Sequence, residues 1–165
     1  MNNLKKWDLR FLATAKLISS YSKDRTKIGA ILVKDKRILT SGYNGFPSTI
    51  EDTEERLLNR NIKLKYTIHA EMNSILQAGN HGINIHNSTC YIYGLTPCQE
   101  CAKHIVVSGV ERVVYVIRDN HINSPEWEEQ FHFVQDLFDE AKINLLQYTD
   151  SDLMNFIKNE TNLLN

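Results

Sequence analysis

Two short stretches of this 165-residue chain hold residue types suited to chemistry: "TIHAEMNSIL" (67–76), with His69 and Glu71, and "TPCQECAK" (96–103), with Cys98 and Cys101. Cys98 and Cys101 stand three apart at the start of a predicted helix, so both thiols can face one side. A helix N-terminus also favours the thiolate, which is the metal-binding form. His69 opens a second predicted helix. Zinc takes nitrogen and sulfur donors tetrahedrally, and three protein ligands leave a fourth position for water, the count of a catalytic site. Water on zinc titrates near pH ~7, so a carboxylate beside it can take and return the proton. Glu71, two residues from His69, is placed to do this without ligating.

Each motif has a plainer reading. H-x-E alone is common, and a histidine and an acid at a helix start can simply be satisfied there. P-C-x-x-C is much rarer; its rival is a thioredoxin-like dithiol, which leaves His69 and Glu71 idle. Cys90 falls in a predicted strand and is expected as a buried small hydrophobe. His81, His86, His104, His121 and His132 show no ligand spacing and are expected at the surface or at caps.

These residues need a frame. Apolar positions at Leu4, Trp7, Phe11, Leu12, Ala15 and Ile18 predict an N-terminal helix. "TKIGAILVKD" and "RILTSGYNG", joined through "KDK", predict a β-hairpin. The segment 46–65 is polar and irregular, a long functional loop with a short helical possibility at "EDTEERLLNR". A helix then runs from His69 to about Gly79. "STCYIYGL" predicts a strand, and "CQECAKHIVVSG" a helix closed by Gly109. "ERVVYVI" predicts a strand of the kind buried in a parallel sheet. Ser124 and Pro125 are expected to cap and open a further helix, followed by the strand "INLLQY" and a terminal helix. The order implies an α/β fold, a mixed sheet with helices on both faces, in one domain over 1–165.

Composition removes several function classes. A net charge of −1 argues against a nucleic acid as the main partner, because binding many phosphates takes a basic surface. It leaves room for a single nucleotide. Three cysteines do not make a disulfide framework. No stretch approaches the roughly 18 apolar residues of a membrane span. The N-terminus lacks the unbroken apolar core of a signal peptide, so a cytoplasmic protein is expected.

The pairing H-x-E…P-C-x-x-C resembles the signature of zinc deaminases acting on cytosine or adenine. Four stretches resemble the deoxycytidylate (dCMP) deaminases of the cytidine deaminase superfamily more closely: "SKDRTKIGAILV" (22–33), "GYNGFP" (42–47), "HAEMNSI" (69–75) and "TPCQECAKHIVVSGVERVVY" (96–115). The resemblance implies a three-layer α-β-α fold with a central mixed five-stranded sheet. It implies one catalytic Zn2+ per subunit on His69, Cys98 and Cys101, with Glu71 as proton shuttle. It assigns Asn44 to the sugar hydroxyl, the Ala70 main chain to the pyrimidine edge, and Lys27 and Tyr115 to the 5′-phosphate end.

The activity it implies is hydrolytic deamination of dCMP to dUMP by a homo-oligomer, commonly a hexamer, with Mg2+ accompanying an effector nucleotide in regulated relatives. It implies no second, structural zinc. Where the family continues "GYNG-x-P-x-G" this chain has Thr49, so the loop is expected to be reshaped. Two other readings stand beside this one. A tRNA or nucleic-acid deaminase shares the zinc motif but calls for a basic surface. A nucleotide-binding protein with the same fold but no turnover would not need Glu71.

Overall fold

The structure is a computed structural model, and it describes residues 3–118 and 125–161. Helix α1 (Asn3–Ser19) leads into the hairpin β1 (Gly29–Lys34) and β2 (Arg37–Tyr43). Asp35 and Lys36 both take positive φ, 51° and 60°, in the two-residue turn between them. That is the requirement of a type I′ turn, whose twist matches the flanking strands. Two short helices follow, α2 (Glu54–Leu58) and α3 (Arg60–Tyr66). Then come α4 (Ala70–Asn80), β3 (Thr89–Gly94), α5 (Gln99–Val107), β4 (Arg112–Ile117), α6 (Pro125–Glu140), β5 (Asn144–Thr149) and α7 (Asp150–Thr161).

The strands form one mixed sheet in the order β2-β1-β3-β4-β5. β1 runs antiparallel to β2 and β3, while β4 lies parallel to both β3 and β5. Alternation along each strand divides the core between two faces. Ile31, Tyr91, Tyr93, Val114 and Val116 pack with Leu9, Leu12 and Ala15 of α1 and with Leu153 and Phe156 of α7. Leu32, Cys90, Ile92, Val113 and Tyr115 pack with Ala70, Ala102, Ile105 and Phe138, from α4, α5 and α6. The expected layers are present, and Cys90 is fully buried as expected.

Two glycines let helices approach the sheet closely. A Cβ at Gly29 would fall 2.1 Å from the Ala15 carbonyl oxygen, and one at Gly42 only 2.4 Å from that of Ala70. Gly42 therefore sets the depth at which the start of α4 lies on β2.

The segment 46–65 differs from expectation in holding two helices. Thr53 caps α2 by accepting from the Arg56 N–H, and Asn59 caps α3 by accepting from the Ile62 N–H. Neither helix buries a residue, which is why "RNIKLKY" shows no apolar stripe to reveal α3. Pro125 opens α6 as expected, while Ser124 and His121 lie outside the described residues. Thr49 is not among the residues with positive φ, so its backbone does not take a glycine-favoured shape.

Candidate metal centre and active site

Two helix N-termini meet at the carboxyl end of β3. His69 is the N-cap residue of α4 and Cys98 that of α5; both backbones are extended, and neither side chain makes a capping hydrogen bond. Their donor atoms are left free for one another. Nδ1 of His69 lies 3.3 Å from Cys98 Sγ and 3.4 Å from Cys101 Sγ. One ligand atom from each of the three residues falls within 4.8 Å of the others, the only such metal-holding group among the described residues. A tetrahedral zinc with ordinary bond lengths separates its nitrogen and sulfur ligands by about 3.5 Å. The donor set and its spacing fit that ion.

The charges of the three are interlocked. The Cys101 thiol, then His69, hold Cys98 down at about 4, so its sulfur is a thiolate. Cys98 in turn raises His69 to about 8 and pushes Cys101 well up. Glu71, in the first turn of α4, is 3% exposed. Burial pushes its carboxyl up to about 7, against its own main-chain N–H and the charge of His69, both of which pull it down. A buried carboxyl that can hold or release a proton near neutrality, beside a cluster of metal donors, is equipped for general acid–base work.

The other expected site residues fare differently. Asn44 is 5% exposed, and its amide oxygen accepts from the Ile28 N–H (2.8 Å) while its amide nitrogen donates to the Thr26 carbonyl (2.7 Å). It ties the loop before β1 to the end of β2. Next along the chain, Gly45 and Ile68 form an antiparallel bridge, which fixes that same end of β2 to the residue preceding His69. Ala70 is fully buried at the first helical position of α4. Lys27 is half-buried, with its ammonium donating to the Ser22 carbonyl.

Tyr115 stands in β4. It is 2% exposed, and its hydroxyl donates to Gln147 on β5 (3.0 Å). It lines a different cavity, of about 530 Å³, with Phe131, Asp139 and Asn144. Its place within β4 turns it into the core, in the cluster that holds Phe138 of α6.

Sequence reasoning singled out neither Ser22, Asp24 nor Lys63. Ser22 donates to the Asn44 carbonyl, and Asp24 accepts from the Thr26 N–H and from Lys63. The spacing Asp24-x-Thr26 carries the signal of an Asx turn. Lys63 carries none, because its partner is 39 residues away. Among the other histidines, His81 and His104 contact main-chain carbonyls of their own helices at Gln77 and Glu100.

The sequence profile of the cytidine and deoxycytidylate deaminase zinc-binding region matches residues 5–117. The chain belongs to this deaminase family. It is 32% identical over 143 residues to an uncharacterized deaminase in the luxG 3′ region of Aliivibrio fischeri, covering 86% of this chain and 93% of that one. Against the deoxycytidylate deaminase of Homo sapiens it is 32% identical over 124 residues, 70% of this chain and 67% of the human one. Among solved structures, the dCMP deaminase of cyanophage S-TIM5 in complex with dCMP and dUMP superposes with a TM-score of 0.67 at 25% identity, covering 90% of this chain and 99% of the phage chain. The expected superfamily, α/β fold and zinc dependence therefore hold. No helix among the described residues is long and apolar enough to cross a membrane.

Proposed function

We propose that this deaminase hydrolyses dCMP to dUMP and ammonia. The observation that carries the reading is the meeting of His69, Cys98 and Cys101 at zinc-ligand spacing, with the buried carboxyl of Glu71 two residues from His69. The names of the human and phage relatives support the substrate. Were zinc bound by His69, Cys98 and Cys101, it would acidify a water to a pKa of about 7. Glu71 would accept one proton from the attacking water at its carboxylate and pass it to N3 as the water oxygen bonds to C4. It would then take the second proton from the new C4 hydroxyl and hand it to the amine, so that the C4–N bond breaks and ammonia leaves.

Asn44 uses one amide proton on the Thr26 carbonyl and one lone pair on the Ile28 N–H, which leaves one of each for the sugar hydroxyl. The Ala70 N–H, one of the unpaired donors of a helix start, faces the pyrimidine edge. Lys27 keeps protons beyond the one given to Ser22 and serves the 5′-phosphate. Residues 1–165 act as one catalytic domain, in the cytoplasm, as a homo-oligomer for which a hexamer is favoured.

The test follows loss of cytosine absorbance with zinc-loaded protein on dCMP, dCTP and deoxycytidine in parallel, with metal content measured on the same samples. Turnover of dCMP, weak on the nucleoside and abolished in Glu71→Gln, is the expected result. No turnover on any of the three with one zinc bound per chain overturns the assignment.

A further inference from the structure

Helices α2 and α3 bury no residue completely, and the ring contact that ties them to the chain before them is Tyr66 on Phe46, with centroids 5.4 Å apart. Among the described ion pairs, Lys63–Asp24 alone joins either helix to the rest. Its N···O distance is 2.9 Å, with side chains 19% and 7% exposed. Both ends of the pair have further attachments. The Asp24 oxygen that meets Lys63 also accepts from the Thr26 N–H, and the Thr26 carbonyl accepts from Asn44. At the other end, the Lys63 carbonyl accepts from both the N–H and the hydroxyl of Thr67, two residues before His69. One half-buried ammonium therefore spans the gap between the loop that carries Lys27 and the segment that delivers a metal ligand.

We infer that Lys63 is a positioning residue: through Asp24 it holds the 22–28 loop, with Lys27 and Asn44, in register with the metal cluster. The inference rests on the nucleotide deaminase reading for its kinetic consequence, but its structural consequence stands apart. Lys63 touches neither the metal donors nor Glu71, so its removal loosens the nucleotide-holding loop and leaves the reacting groups in place. Weak binding with intact chemistry is the signature of such a residue. A neutral side chain at Lys63 also leaves the Asp24 carboxylate, 7% exposed, without its cation. The loop then has to open for that charge to reach water.

The experiment compares wild type, Lys63→Met, Lys63→Arg and Asp24→Asn as zinc-loaded proteins, reading steady-state kinetics on dCMP and amide hydrogen exchange over residues 24–28. In Lys63→Met and Asp24→Asn, KM rises roughly tenfold with kcat within about twofold. Zinc stays at the wild-type content, and the Thr26 and Ile28 amides exchange faster. Lys63→Arg, which restores a cation, returns KM to near the wild-type value. An unchanged KM in both neutral variants, a joint fall of kcat and zinc content, or failure of arginine to rescue overturns the inference. Asp24→Asn removes the same pair while keeping an acceptor for Thr26, and it decides the matter if Lys63→Met does not fold. Should wild type turn over no dCMP, the functional reading fails, and exchange alone decides the positioning role: unchanged protection of Thr26 and Ile28 in both variants overturns it.

Discussion

Asp8 and Glu71 are carboxylates buried on opposite faces of the same sheet, at 0% and 3% exposure, and their surroundings differ in kind. Asp8, on α1, takes a two-pronged contact from Arg112 at 2.8 and 2.7 Å and accepts from the hydroxyls of Tyr91 (2.8 Å) and Tyr148 (2.9 Å). The network joins α1 to β3, β4 and β5. Both tyrosines are pushed up, by burial first and by the Asp8 charge after it, Tyr148 to about 12. Glu71 has no guanidinium. The charge of His69 pulls it down, though His69 is itself engaged with Cys98.

A buried carboxylate given four donors holds helices to a sheet; one without a guanidinium is pushed up by its burial. The first arrangement adds stability through charge-assisted hydrogen bonds. The second lacks that contribution, the arrangement expected where stability is given up for function.

The sharpest test of this contrast is Glu71→Gln. Turnover should fall by about 10²–10⁴, the usual worth of a general acid–base group, while the melting temperature stays at or above that of wild type. A melting temperature several degrees lower would mean that Glu71 also supports the fold, and the contrast would collapse.

Next in size, Asp8→Ala should cost about 3–5 kcal/mol in denaturant unfolding, because Arg112 is left buried without its partner. The folded fraction should keep its catalytic constants, and Asp8→Leu combined with Arg112→Met should recover much of the loss. A third change probes what positions Glu71. Gly42→Ala should destabilise by about 1–3 kcal/mol and lower turnover as well, since the added methyl displaces the start of α4. Unfolding and activity assays on the same preparation would check whether the two losses travel together. The smallest effect is expected at Lys23→Ala, whose pair with Asp52 is largely exposed; calorimetry should show no resolvable shift in melting temperature.

Much of this was legible in the chain. Strand alternation in "STCYIYGL" and the closed apolar run of "ERVVYVI" announced β3 and β4, because a period of two follows from the pleat whatever the neighbours are. The metal cluster was legible for a similar reason: Cys98 and Cys101 share one helix turn, and few other chemistries use their residue types. Helix α3 was hidden because none of its residues is fully buried. Tyr115 could be placed on a strand because strand position is local, whereas the depth of its side chain depends on α6 and Gln147. Asn44 could be named but not explained. That its amide binds Thr26 and Ile28 follows only once the β1–β2 hairpin has closed.

The sequence alone was enough to specify the α/β order and to single out His69, Cys98, Cys101 and Glu71 as candidates, since these depend on periodicity and on side-chain chemistry. Folding decided that His69 and Cys98 would meet across 29 residues, that Glu71 would lie out of water while Asp8 gained an arginine, and that Lys63 would reach Asp24. Each of these is a contact between distant segments. Such contacts depend on how closely helices settle on a sheet, and here that depth is set by the absence of a Cβ at Gly29 and Gly42.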